Sequence, residues 1–91
     1  MFSFELHPNL EKKVFILSRK NKILIEIFRK KVEEVIIKDE LTIDLYKNLK
    51  FPMNEFKRIH LTDNFILLFK VSKKEKHIMF FDIKHRDDAY K

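Results

Sequence analysis

The stretch EFKRIHLTDNFILLFKVSKKEKHIMFFDIKH, residues 55–85, contains three consecutive segments that have the period of a β-strand. The first, EFKRIHL, places Ile59 and Leu61 on one face and Phe56, Arg58 and His60 on the other. The second, FILLFKV, is apolar on both faces, which indicates a central strand. The polar turn SKKEK separates it from the third, HIMFFDIKH. The sequence therefore predicts a three-stranded antiparallel meander.

Two helical segments precede this meander. HPNLEKKVFILSRK contains Pro8, a favourable first residue of a helix, and its apolar residues fall on one helical face. Asn21 interrupts this pattern, and KILIEIFRKKVEEVIIK then continues with an apolar stripe of its own: Leu24, Phe28, Val32 and Val35. The two segments predict an antiparallel helical hairpin. The alternating segment FSFEL, residues 2–6, precedes the hairpin and predicts a strand.

Together these segments predict a single α+β domain over residues 1–91, with both helices packed on one face of the sheet. The other face is then uncovered, and we expect any binding partner there. We place five apolar residues on the helix side: Ile59, Leu61, Met79, Phe81 and Ile83. Four polar residues then gather on the uncovered side: Arg58, His60, Asp82 and Lys84.

The composition excludes several kinds of site. The chain has no cysteine, so disulfides and thiolate metal sites are excluded. It has no glycine, so it lacks the glycine-rich loops that bind nucleotide phosphates. Its first residues lack the pattern of a signal peptide, and its apolar runs are far shorter than the roughly 20 residues of a membrane helix. We therefore expect a cytoplasmic protein with no membrane contact and no small-molecule cofactor.

The net charge of +6 is concentrated in the second half of the chain. Residues 46–91 carry eleven basic and six acidic side chains, whereas residues 1–45 carry nine and eight. A basic half favours a polyanion or an acidic protein as the partner, although a lysine-rich soluble surface gives the same pattern.

The side chains expected on the uncovered face suit cleavage of RNA. That reaction needs a base for the 2′-hydroxyl, cations for the negative charge at phosphorus and an acid for the leaving oxygen. Histidine has the ordinary pKa nearest to neutral pH, so His60 is the natural acid or base. Tyr90 could transfer a proton if neighbouring cations lowered its pKa, or could stack on a base. A metal site has no recognised ligand spacing here, and we predict none.

The chain ends with His85-Arg86-Asp87-Asp88-Ala89-Tyr90 after the third strand of the meander. With this ending, residues 48–91 resemble the C-terminal half of the RelE/ParE-superfamily toxins. In that family a leucine, a short loop, an aromatic residue and a basic residue lead into the meander, which ends on His-Arg-x-x-x-Tyr.

The resemblance implies a toxin of a type II toxin–antitoxin pair. It implies an enzyme that enters the ribosomal A site, cleaves messenger RNA there without metal, and is neutralised by an antitoxin protein. Carried over position by position, it implies a catalytic set of Arg58, His60, Lys84 and Tyr90. Three further candidates for RNA contacts are Lys57, Lys70 and Arg86.

The sequence departs from the family pattern at three positions. Ile66 stands where the family has an arginine, and His60 and Lys84 are substitutions within the pattern. Lysine keeps the charge but loses the forked contact to phosphate, and Lys70 on the same face could supply the missing charge. Two alternatives stay open: a ParE-like toxin that poisons DNA gyrase, and a degenerate family member or RNA-binding module without catalysis.

Overall fold

The computed structural model describes residues 1–89 of the 91-residue chain. The elements in chain order are β1 (Ser3–Leu6), α1 (Pro8–Lys20), α2 (Lys22–Ile36), a short 3₁₀ helix (Thr42–Leu45), β2 (Lys57–His60), β3 (Phe65–Ser72), β4 (His77–His85) and the single turn α3 (Arg86–Ala89). The predicted α+β order of a strand, a helical hairpin and a meander is confirmed.

The four strands form one sheet in the order β1-β4-β3-β2. The pairs β4–β3 and β3–β2 are antiparallel, so the predicted meander is confirmed. Strand β1 pairs with β4 in parallel. Parallel strands need a long connection, and here the helical hairpin, β2 and β3 lie between β1 and β4 in the chain. Strands β1 and β2 are therefore the two edges of the sheet.

One asparagine joins the two helices of the hairpin. The backbone N–H of Asn21 donates to the carbonyl of Leu17 and ends α1, while its side-chain oxygen accepts from the N–H of Leu24 at 3.1 Å and caps α2. At the other end of α1, Pro8 occupies the first turn and Nδ1 of His7 accepts from the N–H of Asn9. These local contacts explain why the hairpin turns so tightly.

The larger hydrophobic core lies between the helical hairpin and one face of the sheet. Its fully buried side chains include Leu10 of α1, Val35 of α2, Phe69 of β3 and Phe80 of β4. Both helices thus pack on the same face, as predicted.

None of the helices described within residues 1–89 has the length and apolar content of a membrane-spanning segment.

A second, smaller cluster covers part of the opposite face of the sheet. It consists of Leu49, Phe56, Ile66 and Leu68, with Met53 and Phe81 partly buried against them. The segment before β2, residues 46–56, contributes half of these side chains and contains the cis Phe51–Pro52 peptide bond. The prediction that this face is uncovered is therefore wrong for the part around Ile66 and Leu68, since the apolar side chains of β3 on this face need partners that exclude water.

A β-bulge interrupts the pairing of β3 with β4. Phe69 pairs with Phe80, and Leu68 pairs with Asp82, so Phe81 is the extra residue on β4. The bulge changes which residues of β4 face the helices.

Two of the five predicted helix-side positions are corrected by this bulge. Met79 pairs with exposed Lys70, and Phe81 packs into the second cluster, so both lie on the face away from the helices. Counting every second residue backward from Ile83 predicts the wrong face for Met79 and Phe81. The reason is that the extra residue of the bulge displaces the alternation of the strand by one position. The helix-side placement of the other three is confirmed: Ile59, Leu61 and Ile83.

Candidate functional site

The strand register places His60, Ile66 and Lys84 in one row across three strands. His60 pairs with Ile66, and Ile66 pairs with Lys84. Neighbouring strands lie about 4.8 Å apart, so the backbones of His60 and Lys84 are about 10 Å apart. Paired residues project to the same face, so the side chains of His60 and Lys84 leave the sheet on either side of Ile66.

The adjacent row contains Arg58, Leu68 and Asp82. Arg58 pairs with Leu68 across β2 and β3, and Leu68 pairs with Asp82 across β3 and β4. By register, Arg58, His60 and Lys84 therefore lie on one face, as predicted, whereas the carboxylate of Asp82, in the same row as Arg58, is bonded to Lys13 of α1. The catalytic roles of Arg58, His60 and Lys84 stay predictions. We call this surface the basic face, defined by Arg58, His60 and Lys84.

The floor of the basic face is apolar. Ile66 and Leu68, in the middle of the two rows, are 0% and 1% exposed. The side chain at the position of the family arginine is therefore not a surface group: it packs under the 46–56 segment in the second cluster. Cationic groups reach the basic face from β2 and β4, and none comes from the Ile66 position between them.

Asp82 is tied to α1. Its Oδ1 accepts from Nζ of Lys13 at 2.6 Å and from the N–H of Ile83 at 2.9 Å. The same Lys13 ammonium donates to the carbonyl oxygen of Ile83 at 3.0 Å. Sequence reasoning did not identify Lys13, because a lysine on a helix carries no signal of a partner 69 positions away.

Two of the predicted RNA contacts on β2 and β3 lie outside the two rows. Lys57 is buried on the helix side, and its Nζ donates to the carbonyl of Tyr46 and to Oδ1 of Asn48, both at 3.0 Å. Lys70 lies on the same face as Ile66, and its ammonium is 3.3 Å from the carboxylate of Glu55. The structure therefore brings Lys70 near the basic face but does not bring Lys57 there.

The C-terminal segment continues from the Lys84 end of β4. Arg86 is exposed, begins α3 and donates its N–H to the carbonyl of Asn64 at 2.8 Å. The ring of His85 meets Phe65 edge-on at 5.7 Å between centroids. Tyr90, predicted to be catalytic, lies outside the described residues.

An ionic cluster braces the segment that leads into β2. The carboxylate of Asp44 lies between the ammonium groups of Lys73 and Lys57, and the hydrogen bond from Lys73 is the main cause of a lowered pKa of Asp44. Nearby, the hydroxyl of Tyr46 donates to Glu34 at 2.8 Å, and burial together with this contact raises the pKa of Tyr46. These contacts fix the backbone of the segment that leads into β2, the strand that contains Arg58 and His60.

Within residues 1–89, no three side chains of the His, Asp or Glu type come together as they would to hold a metal ion. The basic face itself presents the side chains of Arg, His and Lys: hydrogen-bond donors and positive charge for an anion, and an imidazole for proton transfer.

No family model matches the chain. RelE4 of Methanocaldococcus jannaschii, a protein assigned as a toxin, is 36% identical over 91 residues, and the alignment covers 100% of this chain and 93% of that protein.

Two solved structures share the fold. A chain of the YoeB–YefM complex from Staphylococcus aureus superposes with a TM-score of 0.74 at 12% identity, and the match covers 93% of this chain and 97% of that one. The isolated Escherichia coli RelE toxin superposes with a TM-score of 0.71 at 15% identity, covering 93% and 84%. These structures show the same fold, and the RelE4 relative, which is 36% identical over the whole chain, establishes that this chain belongs to the RelE/ParE superfamily of toxins.

Proposed function

We propose that this toxin is a ribosome-dependent endoribonuclease that cleaves messenger RNA in the A site, in the cytoplasm and without a metal cofactor. The main support for this proposal is the strand register, which places His60, Ile66 and Lys84 in one row and Arg58 in the next row. Two cations and an imidazole on one rigid sheet face match what a phosphodiester needs for cleavage.

The proposed reaction is an internal displacement at phosphorus. The 2′-oxygen attacks phosphorus while a base takes its proton, and the bond from phosphorus to the 5′-oxygen breaks. An acid protonates that leaving oxygen, so the products are a 2′,3′-cyclic phosphate and a 5′-hydroxyl. We assign proton transfer and base stacking to His60 and Tyr90 together, and support of Tyr90 to Arg86.

Arg58 and Lys84 supply the positive charge in this proposal. They contact the phosphate from β2 and β4, and they stabilise the charge that builds up on its oxygens in the transition state. Lys84 does so as a point charge, whereas the guanidinium of Arg58 can make two parallel hydrogen bonds.

Lys70 has a different role in this proposal. It lies four residues along β3 from Ile66, about 13 Å away at 3.3 Å per residue, which is too far to replace an arginine at that position. We therefore assign Lys70 to the backbone of the flanking RNA. Lys57 is not included among the RNA contacts, because its ammonium is engaged inside the protein.

We also propose a protein antitoxin as the physiological partner. The YoeB–YefM complex supports this assignment, since a protein of the same fold assembles there with YefM. A partner that covered the basic face would block access of RNA to Arg58 and Lys84.

The test is to map messenger RNA ends by primer extension in a reconstituted translation reaction. We expect the wild type to cut within codons only when ribosomes are present, and Arg58→Ala to lose most of this cutting. Lys74→Ala is the matched control, since Lys74 is exposed in the β3–β4 turn and the same charge is removed. Intact messenger with folded wild-type protein would refute the nuclease.

The buried Ile66 supports one alternative, a ParE-like toxin that poisons DNA gyrase. Such a toxin needs no catalytic side chains, so an isoleucine at this position carries no disadvantage. Cleaved DNA in a reaction of purified gyrase with the toxin, together with intact messenger in the translation reaction, would favour this alternative.

A further inference from the structure

The ion pair of Lys13 with Asp82 lies at the margin of the basic face. Asp82 belongs by register to the row of Arg58 and Leu68, and it is two residues before Lys84 on the same strand. The backbones of Asp82 and Lys84 are therefore about 7 Å apart. The side chain of Asp82 is 16% exposed, and that of Lys13 is 46% exposed.

The position of α1 explains why Lys13 can reach this point. Strand β1 pairs with β4 only as far as the pair of Leu6 with Phe80. Beyond Phe80 the outer edge of β4 has no strand neighbour within residues 1–89, and Lys13 of α1 contacts it instead. Lys13 there supplies a donor both for the carbonyl of Ile83 and for the carboxylate of Asp82.

A carboxylate at this position opposes RNA binding unless its charge is cancelled. An unpaired Asp82 would attract the ammonium of Lys84 and repel a phosphate bound beside it. The Lys13 ammonium at 2.6 Å cancels that charge, and it holds the carboxylate at the strand edge, where Asp82 also accepts from the N–H of Ile83.

We propose that Lys13 is a positioning residue of the nuclease: it neutralises Asp82 and holds it away from the phosphate site, so that Lys84 stays available to RNA. This inference rests on the proposed function. Through Lys13, helix α1 then contributes to the electrostatic potential of the basic face.

The test measures single-turnover cleavage on ribosomes programmed with a messenger and an empty A site, at toxin concentrations below saturation. Lys13→Met leaves one uncancelled negative charge, and we expect cleavage about 3- to 30-fold slower, from the Coulomb energy of a charge 7 Å away at intermediate dielectric. The double variant Lys13→Met/Asp82→Asn removes both charges, and we expect it to recover to within about twofold of the wild type.

Lys12→Met is the matched control. Lys12 is the neighbouring residue on α1, is exposed and makes no ion pair within residues 1–89, so its removal changes the net charge of the protein by the same amount. We expect cleavage by Lys12→Met to stay within twofold of the wild type. Circular dichroism and thermal unfolding of every variant would show whether each one is folded at the temperature of the assay.

Each outcome decides the inference. Rescue by the double variant supports it, because a purely structural ion pair would leave the double variant as slow as Lys13→Met. Equal effects of Lys12→Met and Lys13→Met, or no recovery in the double variant, would overturn it. A wild type that does not cut would instead overturn the proposed function, and the inference with it.

Discussion

Lys57 and Arg58 are consecutive residues of β2, yet their side chains serve opposite faces of the sheet. Lys57 is 8% exposed and its ammonium is bonded to the backbone of Tyr46 and the side chain of Asn48. Arg58 pairs with Leu68 on the other face. One of these neighbouring cations is therefore engaged inside the fold, and the other lies on the face that we propose as the RNA-binding face.

Replacing Lys57 with methionine separates these two roles. Lys57→Met keeps most of the side-chain volume but removes two part-buried hydrogen bonds from a charged donor, to the carbonyl of Tyr46 and to Oδ1 of Asn48, so we expect the free energy of unfolding to fall by about 1–3 kcal/mol. Urea unfolding measures this change. Messenger cleavage by the folded variant should match the wild type, and Lys74→Met, in an exposed turn, should change neither quantity. A large loss of cleavage at unchanged stability would show that Lys57 contacts RNA after all.

Replacing Lys84 with arginine should not slow the cleavage of messenger RNA. Lys84→Arg keeps the charge and adds the forked contact to phosphate that lysine lacks, so we expect cleavage at least as fast as in the wild type. Lys84→Met removes one cationic contact from a preorganised site, and we expect cleavage about 10²- to 10³-fold slower. Primer extension over a time course measures both rates. Wild-type cleavage by Lys84→Met would exclude Lys84 from the site.

Ile66 should not tolerate the arginine that the family pattern has at this position. Its side chain is fully buried in the second cluster, so Ile66→Arg would place an uncompensated charge under the 46–56 segment. We expect a loss of more than about 3 kcal/mol in the free energy of unfolding. Ile66→Val, the matched control, should lose only about 0.5–1.5 kcal/mol. Equal stability of Ile66→Arg and Ile66→Val in thermal unfolding would contradict this prediction. It would mean that the 46–56 segment moves away from the sheet and exposes the arginine.

Much of the fold could be predicted because its periods are strong and continuous. The apolar stripe of α2 identified Leu24, Phe28, Val32 and Val35 as buried, and alternation along β2 placed Arg58 with His60. The bulge at Phe81 could not be predicted in this way, because a single extra residue leaves both neighbouring stretches looking regular.

The partial covering of the basic face was missed for a different reason. Leu49 and Met53 lie in a segment without helical or strand periodicity, so their sequence does not indicate which surface they cover, and the alternation that placed Phe56 on the face of Arg58 and His60 did not indicate that it packs there with them. The contacts of Lys13 and Lys57 were missed because lysine is usually exposed, and only the tertiary structure brings their partners within reach.

The stability of the protein should fall in acid partly through Asp44. Hydrogen bonding to Lys73 lowers the pKa of Asp44 in the folded state, so its carboxylate contributes stability above the ordinary aspartate pKa of about 3.9, and this is lost as the pH falls through the lowered value. Asp44→Asn should therefore lower the melting temperature at neutral pH and flatten its decline in acid. Asp63→Asn is the control, since Asp63 is exposed and makes no ion pair in the described part of the chain. Parallel melting curves of Asp44→Asn and the wild type from neutral to acidic pH would contradict this assignment.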